Sequence, residues 1–378
     1  MNFDLLISQY DEHNEEILLL ARKFNIRKIV LIFNNNNIFK SKKIKKLYFE
    51  VNQSYNLETI SIDIGDYNSL KNNLDKYLKD KSIICLNGGE RINSLLLLRF
   101  SMEYRIESIY LDIKNKKRYV FGKDSRTIEQ QLDDMSIDDI TKLSGANIID
   151  ESSYLCNKSE VVEITKTILA NLDLWHNYKQ RLYDNSIFTH NYQDTSEVII
   201  HRNLLNDEEK QLLDKVLVYL KKVNGIEYLT KNSDVYVTFK NNYLKGFLFK
   251  SGTWLEVLTN IVINEIKEID EVKSSVTFFW SEDSRCVKNE LDVVAVKDSV
   301  LLCISCKDSD KYDEDALNEL EVYSNRLGGK HCIKILVATK KPIKKSVIDR
   351  AKEMNINLVI VDKDINKFRK EISMIIKK

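Results

Sequence analysis

The stretch Asn289–Lys307, NELDVVAVKDSVLLCISCK, reads as two strands turning at Lys297–Ser299. The runs on either side are short, apolar and rich in β-branched residues, as buried strands are. Side chains alternate along a strand, so Asp292, Val294 and Val296 are expected to share one face. Cys303, Ser305 and Lys307 are expected to share a face of the next strand. A hairpin in that register carries an acid and a lysine to one end of a sheet. Just upstream, GTWLEVLTNIVINEIKEI (252–269) has helical spacing and brings a second carboxylate, Glu256, toward the same strand ends.

Around this hairpin the chain alternates helices and strands. SSVTFFW (274–280), Ile333–Thr339 and NLVIVD (357–362) read as strands, and ALNELEVYSNRL (316–327) reads as a helix. VYVTF (235–239) and GFLFK (246–250) read as further strands, and DEEKQLLDKVLVYLKKV (207–223) as a helix. SEVVEITKTILANLDLWHNYKQRL (159–182) reads as one long bridging helix, and SIDDITKLSGANIID (136–150) as a capped helix followed by a turn. The first 120 residues repeat strand–helix–strand, with strands FDLLIS, KIVLIFN, LETISIDI and SIICLN separated by helical runs. Near-continuous apolar strands of that kind predict a doubly wound, mainly parallel sheet. The fold class is therefore α/β: a Rossmann-like sheet followed by a mixed α/β domain. The expected divisions are residues 1–145, a helical linker or subdomain at 146–235, and 236–378.

Composition sets the outer limits. The 378 residues carry 58 basic and 57 acidic side chains, 43% hydrophobic residues, one proline and 10 glycines. This describes a globular chain with few flexible linkers, and excludes a disordered or uniformly basic binder. Charge is nevertheless segregated: residues 308–321 hold seven acids against one lysine, and 335–378 hold 12 basic against five acidic residues. Six cysteines form no disulfide framework, and Cys303 and Cys306 on one strand point to opposite faces, which argues against a zinc or redox pair. No apolar run is long enough to span a membrane and no signal peptide is visible, so a cytoplasmic location is expected.

Carboxylates beside one lysine suit metal-assisted hydrolysis of a phosphodiester. Hard oxygens hold Mg²⁺ or Mn²⁺, with Asp292 and Glu256 as the expected ligands, and the lysine orients water or offsets charge. Singly, each such residue is more often solvated; together they favour catalysis. In the N-terminal half, SIICLNGGERINSLLL (82–97) runs strand, Asn87-Gly88-Gly89, then helix, and such a turn lets backbone N–H groups meet a phosphate. It is neither a P-loop nor GxGxxG, which argues against an oxidoreductase.

Asp292 followed by Ser305-Cys306-Lys307 resembles the PD-(D/E)xK nuclease superfamily. GTWLE, NELDVVAV, ISCK and NRLGGK together are similar to the nuclease domain of CRISPR ancillary nucleases, which follows an N-terminal CRISPR-associated Rossmann (CARF) domain. The resemblance implies a homodimer that binds cyclic oligoadenylate, most often cyclic tetra-adenylate and less often cyclic hexa-adenylate. It implies a type III CRISPR defence enzyme that cuts single-stranded RNA or DNA, or nicks duplex DNA, with little sequence specificity. Glu256, Asp292, Ser305 and Lys307 are the implied catalytic set. Ser8, Gln9, Asn14, Asn87, Gly88, Gly89 and Arg91 are the implied ligand contacts, with Arg91 in the place of the family's lysine. Ser305 stands where the family has a carboxylate, with Glu256 or Glu290 to supply the missing charge. That departure keeps a second reading open, a nucleotide-sensing regulator with a degraded nuclease fold.

Overall fold

The computed structural model describes residues 3–78, 81–129, 134–191, 193–250, 252–280 and 288–377. The N-terminal part is β1 (Leu5–Gln9), α1 (Glu15–Lys23), β2 (Lys28–Asn34), α2 (Ser41–Val51), β3 (Asn56–Ile62), α3 (Tyr67–Leu74), β4 (Ser82–Cys85), α4 (Arg91–Glu103), β5 (Glu107–Asp112), β6 (Lys117–Phe121) and β7 (Arg126–Glu129). Its sheet has the order β3-β2-β1-β4-β5-β6-β7. The first five strands are parallel, and β6 and β7 add an antiparallel edge. Because β1 pairs with both β2 and β4, the loops leaving β1 and β4 open at the topological switch point, where doubly wound sheets bind ligands.

Next come α5 (Ile137–Leu143) and β8 (Ala146–Asp150). Ser136 caps α5 as its sequence suggests, accepting from the Asp139 N–H at 3.1 Å. The expected turn is there at Ser144–Gly145, and the residues after it form a strand: β8 pairs with β13 (Glu271–Trp280) at the edge of the third sheet. The long helix expected over 159–182 is broken into α6 (Ser159–Ala170), α7 (Leu172–Tyr178) and a 3₁₀ turn over Lys179–Tyr183. Asn171 sits at the break, where its side chain donates to the Thr167 carbonyl at 2.8 Å and competes with the helical ladder.

A four-stranded antiparallel sheet of β9 (Phe188–His190), β10 (Glu197–His201), β11 (Ile226–Lys231) and β12 (Asp234–Phe239) packs with α8 (Asp207–Lys222). Of residues 246–250, expected as a strand, 246–249 belong to the helix α9 (Asn242–Phe249) and Lys250 is its C-cap. Asn241 caps it through the Leu244 N–H, and Leu244 and Phe247 are buried at helical spacing.

The last unit contains α10 (Thr253–Asn264), β13, β14 (Lys288–Lys297), β15 (Val300–Lys307), α11 (Glu314–Gly328), β16 (Ile333–Ala338), α12 (Lys345–Glu353), β17 (Ile356–Ile360) and α13 (Ile365–Ile376). Its sheet runs β17-β16-β15-β14-β13-β8, with β15, β16 and β17 parallel and the rest antiparallel. Both faces are buried. Val294, Leu301 and Cys303 join a core shared with Leu6, Leu18 and Ile83 of the N-terminal unit. Val293, Leu302 and Cys306 join a second core with α10 and the four-stranded sheet. Cys303 and Cys306 thus face opposite ways, as expected. No helix among the described residues is long and apolar enough to cross a membrane.

One buried carboxylate ties three segments together. Asp308 accepts from Trp175 Nε1 at 2.7 Å, Trp254 Nε1 at 2.8 Å and Thr339 Oγ1 at 2.9 Å. Lys179 Nζ lies 3.0 Å from it and His176 Nε2 3.3 Å. Burial alone would raise its pKa, but the two indole donors and the Lys179 ammonium outweigh burial and hold it below the ordinary aspartate value. Asp308→Ala leaves the buried Lys179 ammonium without its counter-charge. We expect a loss of about 3–5 kcal/mol in chemical denaturation, against a smaller loss for Asp308→Asn.

Candidate functional site

The third sheet opens at Asp292. The β14–β15 pairing runs from Lys297↔Val300 to Val293↔Ile304 and ends there. Beyond it the Asp292 carboxylate replaces a strand carbonyl: Oδ2 accepts from the Cys306 N–H at 2.6 Å and from Ser305 Oγ at 3.2 Å. On the other side, β13 pairs with β14 at Ser274↔Val293 and Val276↔Leu291, skipping Ser275, whose φ is +49°. Leu291, Val294 and Val296 lie in one core and Val293 and Ala295 in the other, so the alternation slips at Asp292. Strand parity therefore does not aim Asp292 along with Val294 and Val296; its two hydrogen bonds to β15 do.

Glu256 enters from the first turn of α10 and is buried, with 7% of its surface exposed. Ser275 Oγ donates to it at 2.6 Å. Burial and the neighbouring Asp292 charge push its pKa up to about 7, with Ser275 and Lys250 opposing. Burial also raises Asp292, against the Cys306 N–H, Lys307 and Ser305. Lys307 closes β15, half-buried, near enough to favour the Asp292 carboxylate. Glu290 sits at the rim, its carboxylate 3.7 Å from Lys250 Nζ. Glu319 is apart, an exposed residue of α11 that accepts from the Tyr323 hydroxyl. Trp254 is a core residue, 2% exposed, committed to Asp308.

The fold thus gathers Glu256, Asp292, Ser305 and Lys307 at one strand end. Two buried, mutually repelling carboxyls with hydroxyls beside them are a donor set that a hard divalent cation would relieve. Beside that end, the β16–α12 connection presents exposed Lys340, Lys341, Lys344 and Lys345, close to Lys307 because β15 and β16 pair at Lys307↔Ala338.

At the switch point of the first sheet the implied contacts divide. Gly88 and Gly89 take positive φ, +76° and +63°, and a Cβ on Gly89 would stand 2.6 Å from Gln9 Oε1. Gln9 donates to Ser94 Oγ at 2.8 Å, and Arg91 is exposed at the first turn of α4. Ser8, Gln9, Asn14 and Asn87 are all buried. Ser8 donates to the Cys85 carbonyl, Asn87 bonds both backbone groups of Leu111, and Asn14 brackets the backbone of Asp11. The sequence reading missed Asp11, Ser275 and Asp308. Each is a short polar residue whose partner lies far along the chain, and no spacing signals it.

Residues 241–376 match the family described as the Card1-like endonuclease domain. No curated protein matches the chain. Among solved structures, protein VC1899 from Vibrio cholerae superposes with a TM-score of 0.79 at 18% identity, covering 98% of this chain and 97% of that one. Can2 from Sulfobacillus thermosulfidooxidans, solved in complex with cyclic tetra-adenylate, gives 0.72 at 16% identity, covering 99% of each chain. A type III CRISPR defence DNA nuclease activated by cyclic oligoadenylate gives 0.50 at 13% identity, over 92% of this chain and 48% of that one.

The raised pKa of Glu256 has a sign that can be measured. Its folded value of about 7 lies above the ordinary 4.5, so its contribution to stability is complete below pH 4.5 and is lost as pH rises through 7. In EDTA, Glu256→Gln should be more stable than wild type at pH 8, by on the order of 3 kcal/mol, with the gap closing by pH 4.5. Urea unfolding across that range reads it; a gap independent of pH contradicts the assignment.

Proposed function

We propose that the Card1-like endonuclease domain at residues 241–376 is the cutting half of a cyclic-oligoadenylate-activated nuclease of type III CRISPR defence. The observation that carries the proposal is the convergence of Glu256, Asp292 and Lys307 at one sheet end inside that domain. The Can2 complex with cyclic tetra-adenylate supports the same architecture for the whole chain, with a sensor at 1–145 and the nuclease at 236–378. The activator, cyclic tetra-adenylate before cyclic hexa-adenylate, would bind at the β1–β4 switch point of a two-fold homodimer in the cytoplasm. Gly88, Gly89 and Arg91 line it, with buried Gln9 packed beneath the Gly89 turn. Binding would shift the population toward a substrate-accepting arrangement.

In the PD-(D/E)xK reading, Glu256 and Asp292 hold Mn²⁺ or Mg²⁺. Such a cation, when bound, activates water and offsets charge on the phosphorus oxygens. The chain's own residues do the rest. Ser305 and the Cys306 N–H fix the direction of the Asp292 carboxylate. Ser275 fixes Glu256. The Lys307 ammonium orients the attacking water and stabilises negative charge growing on the phosphate. Lys340, Lys341, Lys344 and Lys345 draw in a polyanionic strand without reading bases, which suits RNA or DNA cut with little sequence specificity.

Purified protein with Mn²⁺ and labelled single- and double-stranded substrates, with and without each cyclic oligoadenylate, tests the proposal. Ligand-dependent cleavage is expected, and Asp292→Ala and Lys307→Ala should each lower it about 100-fold or more while activator binding survives. Cleavage at wild-type rates by both variants overturns the site.

Ser305 favours a second reading, a sensor whose nuclease has lost a metal ligand. Ser305→Asp separates the two. Mn²⁺ should bind about tenfold tighter by calorimetry in the variant, because affinity rises with ligand charge. Cleavage that appears only in Ser305→Asp supports the degraded form; cleavage already present in the wild type supports the active enzyme.

A further inference from the structure

The loop between β1 and α1 contains an acid in an unexpected place. Asp11 Oδ2 accepts from the Gly89 N–H at 2.7 Å, and its Oδ1 accepts from the His13 N–H at 3.3 Å. The loop is held in that shape by buried Asn14, whose Oδ1 takes the Asp11 N–H at 2.9 Å while its amide donates to the Asp11 carbonyl. The Gly88–Gly89 turn is built around the same side chain: a Cβ on Gly88 would stand 3.0 Å from Asp11 Cβ. Glu90, the N-cap residue of α4, makes no side-chain capping bond and is exposed. An anion at Gly89 therefore has one resident, and it belongs to the chain.

Two residues along, the same loop touches the endonuclease domain. His13 packs on Gly329, which immediately follows α11, and a Cβ there would stand 2.8 Å from the imidazole Cδ2. Gly329 has a φ of +60°, so a side chain is excluded by both conformation and space. The helix α11 that ends at this contact is the one that follows Lys307 and packs against β15, and it shares a core with β1 and α1. One carboxylate thus bonds a sensor turn with one oxygen and the backbone of His13 with the other.

We infer that Asp11 is a built-in occupant of the anion seat at Gly89, and that an activator phosphodiester enters by displacing it and frees the His13 contact on Gly329. This rests on the proposed cyclic-oligoadenylate reading of the switch-point cleft and adds the residue that sets affinity there. A phosphate oxygen takes over the Gly89 N–H. The displaced carboxylate then gives up the His13 N–H as well, because the two bonds use its two oxygens in one orientation. The cost of that exchange is built into the observed affinity, so a chain lacking the carboxylate binds the ligand more tightly.

The test uses the full-length chain. Cyclic tetra-adenylate is titrated by calorimetry into wild type, Asp11→Asn, Asp11→Ala and Glu90→Gln. Amide hydrogen exchange of residues 89–91 and 326–332 is followed without ligand. Asp11→Ala, which vacates the seat, should bind about tenfold tighter than wild type, and Asp11→Asn, which keeps one neutral acceptor, tighter by a smaller factor. Glu90→Gln, which removes a nearby charge without vacating the seat, should change affinity less than about twofold. Exchange over 326–332 should already be faster in both Asp11 variants than in the wild type. Equal or weaker binding by the Asp11 variants, or an equal gain in Glu90→Gln, overturns the displacement. Unchanged exchange at 326–332 overturns the link to the endonuclease domain. If no chain binds cyclic tetra-adenylate, the activator reading fails instead, and the exchange comparison still decides whether Asp11 holds His13 against Gly329.

Discussion

The carboxylate of Asp308 carries a negative charge in a place where water does not reach it, and five donors from three separate segments make that tolerable. A buried ion is costly unless every lone pair is satisfied, so the geometry of those donors is narrowly set. Trp175, His176 and Lys179 come from the middle unit, Trp254 from α10 and Thr339 from the end of β16. Any slide among these elements uncovers the charge. Trp254 lies two residues before Glu256, and Lys307 lies one residue before Asp308. Satisfying this carboxylate therefore also constrains where the two candidate catalytic groups sit.

The same logic applies, with opposite sign, at Asp292 and Glu256. There the buried carboxyls have few donors, and both have raised pKa values. A third carboxylate at position 305 would stand within hydrogen-bonding distance of Asp292 and add repulsion in the cation-free protein. Serine instead donates to Asp292 and lowers its burden. In the cation-free protein the serine is therefore the more stable neighbour for Asp292. Glu290, tied to Lys250 at the rim, keeps a further negative charge close by, and it contributes to the raised pKa of both carboxyls.

The parts of this structure that follow from local periodicity were legible in the sequence. The parallel strands of the first sheet, the hairpin at Asn289–Lys307 and the Gly88–Gly89 turn all come from apolar runs and turn residues acting over a few positions. Residues 246–250 were read as a strand because five residues do not separate periods of 2 and 3.6; the Asn241 cap and burial of Leu244 and Phe247 set the helix. The strand at 146–150 was hidden for another reason: its partner, β13, is more than 120 residues away. Asp308 opens an acidic run that reads as solvated surface, and only the tertiary fold reveals that two indoles and a lysine enclose it. Asp11 is illegible in the same way, since its donor is the backbone of Gly89 and a backbone N–H leaves no trace in composition.

How far the two ends of the molecule can move against one another is limited by the core they share. Leu6, Leu18 and Ile83 of the first sheet unit belong to one apolar cluster with Val294, Leu301 and Leu336 of the last. Close-packed interiors do not deform continuously, so a signal crossing this boundary must use contacts that have two discrete states. The apolar cluster is continuous across the boundary, whereas the seam beside it is polar. Arg22 of α1 meets Asp139 of α5 at 2.6 Å, and Lys116 meets Asp298 of the β14–β15 turn at 2.5 Å. These pairs are partly exposed and worth little individually, and they fix how the units sit without resisting a small rotation. His13 on Gly329 differs from them, because a short imidazole side chain packed against a glycine has less slack than a long lysine or arginine. A displacement of the loop that carries it must either be transmitted to the end of α11 or break the contact. In a chain with one proline and a continuous core, that is the kind of junction through which occupancy of one cleft can reach a strand end in another domain.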